Sequence, residues 1–138
     1  MLQAYSPPVV AAVTGGILII MQAIFMFAAA DQRRRHGPPV GDAVEPSMIR
    51  AVRRHGNLAE NAGIFVVCAA LLELLGGSRY WVEILCAVFV VARLSHGIGL
   101  SMANTNNPFR IAGVILTVVA AIGVGIRLIW IAAAHIPL

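Results

Sequence analysis

Four polar residues, Arg50, Arg53, Asn57 and Glu60, stand at offsets 0, 3, 7 and 10 in the stretch SMIRAVRRHGNLAE, which begins at Ser47. Wound as an α-helix, that spacing gathers all four into an arc of roughly 80° on one face. Two guanidinium groups, an amide and a carboxylate thus share one stripe, with arginine in excess of acid. The planar fork of arginine stays charged at depth and grips carboxylates bidentately. The stripe passes without a break into NAGIFVVCAALLELL, which is apolar enough for a membrane interior. Polar groups that descend into such a segment are expensive and mark functional or pairing sites.

Other chemistry-bearing residues can join this stripe. In the third apolar run Arg93 and His96 share a face with Gly97 and Leu100, at offsets 0, 3, 4 and 7. Arg110 opens the fourth run. Arg93 lies roughly 15 Å below the end of its helix, a depth similar to that of Glu60, so an Arg93–Glu60 contact within the membrane is geometrically possible. Two readings remain open at this point. The charges can pair with one another and tie helices together. Alternatively, with Arg50, Arg53, Arg93 and Arg110 set against the single acid Glu60, the surplus attracts an anionic ligand bearing a carboxylate or a thiolate. His96 alone reads more simply as an interhelical hydrogen bonder. Arg54 and His55 point away from the centre of the stripe, toward solvent or headgroups. Arg127 reads as a snorkelling interfacial residue, and Glu73 and Glu83 as ordinary helix ends at the opposite membrane face.

The elements that must position these groups follow from composition. Of 138 residues 59% are hydrophobic and 12% charged, with mean hydropathy +0.86. A soluble domain carries roughly twice that share of charge, so the chain reads as an integral, multi-pass membrane protein. It forms one domain over residues 1–138, an all-α bundle of four transmembrane helices at about 7–30, 47–75, 80–103 and 108–134. All ten basic residues are arginine, as both a GC-rich genome and a need for fixed positive charge at depth would produce. The arginines follow membrane topology and form no basic stripe interleaved with aromatics, which excludes nucleic acid as a partner. Cys68 and Cys86 sit within apolar runs as structural thiols, and the four histidines have no metal-ligand spacing, so no metal is expected.

The first helix ends in FAAAD before Arg33, Arg34 and Arg35, a charge order that holds it uncleaved in the membrane. The polar segment Asp31–Pro46, with Gly37, Pro38, Pro39 and Gly41 as breakers, forms the first loop. Asn104–Pro108 (NTNNP) forms the third. Arginines concentrate in and around these two loops, and the positive-inside rule then leaves both termini outside the cytoplasm.

The pattern R-x-x-R-x-x-x-N-x-x-E at the start of the second of four helices resembles the MAPEG family, membrane-associated proteins in eicosanoid and glutathione metabolism. The segments ARLSHGIGL and NPFRIAG match further landmarks of that family in order and spacing, so the likeness extends over nearly the whole chain. It implies a homotrimer with glutathione as co-substrate, held between subunits near the cytoplasmic face, in a bacterial-type member resembling microsomal glutathione transferase and seated in the bacterial inner membrane. By the resemblance Arg53, Asn57 and Glu60 hold the polar ends of glutathione, beside Arg50, and Arg93 and His96 line the same cavity. Arg110 matches the family arginine that stabilises the thiolate, and it is the catalytic candidate. A lipophilic small-molecule electrophile would arrive through the lipid. The chain departs from the eicosanoid branch at Leu100, where that branch has tyrosine, and at Ile111, where it often has serine. No obvious arginine marks the end of the first helix unless one of Arg33–Arg35 serves.

Two function classes follow. The resemblance favours a glutathione-dependent transferase or peroxidase acting on lipophilic electrophiles. The alternative, motivated by Leu100 and Ile111, is a non-enzymatic membrane subunit in which the same polar groups knit an oligomer around a vestigial pocket. A small multidrug exporter fits the size, but the first helix lacks a membrane-embedded acid to couple protons.

Overall fold

A computed structural model of the chain describes residues 7–37, 45–104 and 106–136. They form four α-helices: α1 (Val9–His36), α2 (Pro46–Leu74), α3 (Arg79–Ser101) and α4 (Pro108–Ala134). Each is long and apolar enough to cross a membrane. α1 packs chiefly on α2 and α4 on α3, while α2 and α3 meet across the middle and α1 and α4 do not touch. α3 is the most enclosed helix, burying Val82, Cys86, Phe89, Arg93 and His96. At mid-bundle Phe65 of α2 and Phe89 of α3 stack with ring centroids 3.7 Å apart and planes within 6°. The outer faces stay apolar: Ile20, Ile64, Val91 and Ile129 are all exposed. A water-soluble bundle would turn polar residues outward; this one presents hydrocarbon to its surroundings, as lipid requires.

Helix boundaries differ from the sequence expectation in one substantial place. α1 does not stop at Ala30 but continues through the polar residues to His36. Nothing between Ala30 and His36 breaks a helix, and Gln and Arg are good helix formers. Asp31 also pairs with Arg34 and Arg35, at 3.5 and 2.8 Å, one turn further on. The helix ends at Gly37, whose φ of 77° suits a residue without a side chain. Of the expected breakers, Pro38, Pro39 and Gly41 lie outside the described residues. α3 ends at Ser101 rather than Ala103, because Asn107 takes up the carbonyl of Gly99 and the chain turns extended at Met102.

Glu73 is not an ordinary helix end. Its carboxylate accepts the backbone N–H groups of Val10 at 3.2 Å and Ala11 at 2.7 Å. Pro8, which precedes α1, offers no capping side chain, and the exposed donors of a helix start need acceptors, best supplied as negative charge. α2 therefore caps α1 through a side chain more than sixty residues away in sequence. Arg127 likewise has a specific partner, its guanidinium lying 4.2 Å from the centre of the Trp81 ring.

Candidate functional site

The site lies at the end of the bundle that carries Arg33–Arg35 and Arg110. Pro46 occupies the first turn of α2, where its missing N–H is no loss, and the helix then runs uninterrupted through Arg50, Arg53, Asn57 and Glu60. The four do fall on one side. Arg53, Asn57 and Glu60 line a cavity of about 550 Å³ together with His96, Leu100 and Arg110. A smaller hollow of about 230 Å³ adjoins it, lined by Arg50, Arg53, Gly99, Leu100 and Arg110. Because Arg53, Leu100 and Arg110 border both, the two form one trough between α2 and the α3–α4 pair. Among the described residues neither Arg50, Arg53 nor Glu60 has an ion-pair partner.

Close helix contact sets the opposite wall. A Cβ on Gly99 would come within 2.5 Å of the backbone nitrogen of Arg110, and one on Gly113 within 2.6 Å of that of His96. Both glycines are therefore required for α3 and α4 to touch here, and that contact sets His96 beside Arg110 at the trough. Asn107 fixes the register at the turn. Its amide nitrogen donates to the carbonyls of Gly99 (2.9 Å) and Asn104 (2.8 Å), while its Oδ1 accepts the backbone N–H of Arg110 at 2.9 Å. One buried side chain thus closes α3 and starts α4. In the sequence Asn107 stood out only as part of a loop; its position before a proline that opens an apolar run was the available signal.

Arg93 departs from the expectation. It is only 3% exposed and is not among the residues that line the trough. Its partner is not Glu60 but Asn57, whose Oδ1 accepts from Nη2. Nη2 also meets His96 Nδ1 at 3.0 Å, and Nη1 donates to Thr117 Oγ1 at 3.2 Å. Glu60 lies one turn beyond Asn57 on α2, exposed at the cavity wall. Thr117, unnoticed within an apolar run, donates in turn to the carbonyl of Gly113 at 2.6 Å.

This network has a chemical consequence. A guanidinium has only donors to offer. With Asn57 Oδ1 on Arg93, the amide nitrogen is the atom left for the trough. With His96 Nδ1 accepting from Arg93, the ring proton sits on Nε2. Asn57 and His96 therefore both act as N–H donors, alongside the guanidinium groups of Arg50, Arg53 and Arg110. Glu60 is the single carboxylate on the wall. Such a trough is complementary to a ligand with several anionic groups and one cationic group. Arg54, expected to face solvent or headgroups, instead lies half-buried between helices, stacked 4.8 Å from the centre of the Phe25 ring and donating to Ser101.

Comparison with known proteins bears on the family and the fold. No curated protein matches the chain. The family model described as MAPEG family matches residues 10–130, a span that takes in all four helices but for the first residue of α1 and the last four of α4, and every residue of the trough. With a family model matched over most of its length and four helices long enough to cross a membrane, this chain is a member of the MAPEG family.

Proposed function

We propose that the protein is a glutathione-dependent transferase or peroxidase that acts on lipophilic electrophiles at the cytoplasmic membrane face. The observation that carries this reading is the convergence of Arg53, Arg110, Asn57, His96 and Glu60 on one cavity of about 550 Å³. Glutathione has two carboxylates, one ammonium and one thiol. Arg50 and Arg53 suit its carboxylates, Glu60 its ammonium, and Asn57 and His96 its peptide oxygens or carboxylates as neutral donors. Arg110, where the two parts of the trough meet, suits the sulfur.

A cation beside a thiol favours the thiolate, which is the nucleophile. In the transferase reaction the thiolate attacks an electrophilic carbon, the S–C bond forms, and the displaced group leaves with its electron pair. In the peroxidase reaction it attacks the distal oxygen of a lipid hydroperoxide: the S–O bond of a sulfenic acid forms and the O–O bond breaks. The alkoxide leaves and takes a proton from solvent to give the lipid alcohol. A second glutathione then reduces the sulfenic acid to disulfide and water. Leu100 and the apolar outer faces suit a substrate that enters from lipid. Family membership supports this reading, and with it we propose a homotrimer whose sites are shared between subunits.

Calorimetric titration of the detergent-purified oligomer with glutathione tests binding. Ultraviolet difference absorbance of the bound thiolate tests the role of Arg110. Arg110→Ala is expected to remove most of the thiolate signal while glutathione affinity falls far less. No heat at millimolar glutathione in the intact oligomer defeats the proposal and leaves a purely structural subunit as the better account.

A further inference from the structure

A second polar hollow lies behind the trough, on the far side of Arg50. It has a volume of about 180 Å³ and is walled by Gln32 near the end of α1, Ser47, Arg50 and Arg54 in the first turns of α2, and Ser101 at the end of α3. The two guanidinium groups have no carboxylate partner among the described residues; the nearest acid in sequence on that part of α1, Asp31, is engaged by Arg34 and Arg35. Existing hydrogen bonds orient the remaining polar groups. Ser47 donates its hydroxyl to Gln32 Oε1 at 2.9 Å, which leaves the Gln32 amide N–H groups to donate. Ser101 donates to the carbonyl of Gly97 at 2.8 Å and accepts from Arg54. The Arg54 guanidinium is held in place from one side by the Phe25 ring, and its Nε is buried without a partner. The hollow thus offers two cations, of which Arg54 is held in place, and an amide donor, with no acid among the described residues that line it.

We propose that this hollow binds a phosphate-type anion, with the guanidinium groups of Arg50 and Arg54 and the Gln32 amide as its donors. Planar guanidinium forks match phosphate oxygens. The place is the boundary where the apolar run of α1 gives way to Arg33–Arg35, and basic pockets between helices at that level suit lipid head groups. Both a phospholipid phosphodiester and free inorganic phosphate present this chemistry. The site is separate from the glutathione trough, although Arg50 borders both.

The test uses the full chain purified as its native oligomer in detergent, with Arg54→Gln and Gln32→Glu as variants. Arg50 is left intact because it also lines the trough. Gln32→Glu keeps an acceptor for Ser47 and places a carboxylate in the hollow, so it blocks an anion without removing a packing contact. Thermal melting and native mass spectrometry are read with dioleoyl phosphatidylglycerol, with dioleoylglycerol as the same lipid lacking phosphate, and with inorganic phosphate. Phosphatidylglycerol is expected to raise the melting temperature of the wild type and to survive as a bound adduct. Both variants should bind about tenfold more weakly, the effect of losing one charge-assisted contact. A shift with phosphatidylglycerol but not with inorganic phosphate assigns the hollow to a lipid head group. A shift with inorganic phosphate, lost in both variants, assigns it to the free anion. Equal response to dioleoylglycerol and phosphatidylglycerol, or an undiminished response in Gln32→Glu, overturns the proposal. Should Arg54→Gln fail to fold, Gln32→Glu decides alone.

Discussion

The Arg93 network makes a demanding prediction about Asn57. Asn57→Asp is isosteric, and the carboxylate oxygen that replaces Oδ1 would meet the Arg93 guanidinium in a charge-assisted contact in place of a neutral one. Arg93 is 3% exposed and has no carboxylate partner among the described residues. A new acid there should therefore hold or raise thermal stability, since it supplies the counter-charge that a buried cation otherwise lacks. The trough side changes in the opposite sense. Where Asn57 turns an N–H donor to the ligand, the substituted carboxylate would turn an acceptor, one turn from Glu60 on the same wall. Losing a hydrogen bond to a charged ligand group weakens binding by about 1.5–3 kcal/mol, and repulsion between carboxylates, partly screened by Arg93, adds to it. A total near 3 kcal/mol corresponds to roughly a hundredfold loss of glutathione affinity. Calorimetry and thermal melting on the same preparation separate the two effects. Affinity within threefold of wild type would refute the argument that Arg93 orients the Asn57 amide toward the ligand. A large drop in melting temperature would refute the contact itself.

Other substitutions probe the scaffold around the trough. Gly113→Val should cost about 1–3 kcal/mol by overpacking, because even its Cβ would lie 2.6 Å from the His96 backbone, and thermal melting should show a fall of several degrees. Glu73→Ala removes the cap of α1, at the far end of the bundle from Arg110, and should lower stability by about 1–2 kcal/mol with glutathione affinity unchanged in calorimetry. Asp31→Asn breaks two ion pairs whose arginine side chains are 75% and 67% exposed; melting should move by no more than the equivalent of about 0.5 kcal/mol.

The helices were legible because lipid imposes a simple rule: every backbone group must be satisfied within the segment, so apolar length alone identifies a span. Their ends were less legible where polarity and helicity part company. Polar residues suggested a loop after Ala30, yet Asp31–Arg35 is a good helical sequence and only Gly37 stops it. The role of Glu73 was hidden for a different reason. Capping by a residue over sixty positions away depends on α1 and α2 lying antiparallel and in register, which periodicity within one helix does not encode.

The face of a helix can be read from spacing, but the depth of a side chain within a packed bundle cannot. Arg53, Asn57 and Glu60 reached the trough as their spacing required, since a stripe on one helix needs only that helix to be straight. Arg93 did not reach it, although it shares a face with His96, because the buried face of α3 splits between trough and core. Which part Arg93 entered was decided by Gly113 and Thr117 on α4. The close approach at Gly113 brings α4 against His96, and Thr117, one turn deeper, gives the guanidinium an acceptor. A buried cation then acts on the site without lining the trough, fixing through its hydrogen bonds which atoms of Asn57 and His96 face the ligand. The helix-two stripe thus supplies the chemical groups, while their donor polarity is set from the core by a residue whose type, but not whose task, was visible in the sequence.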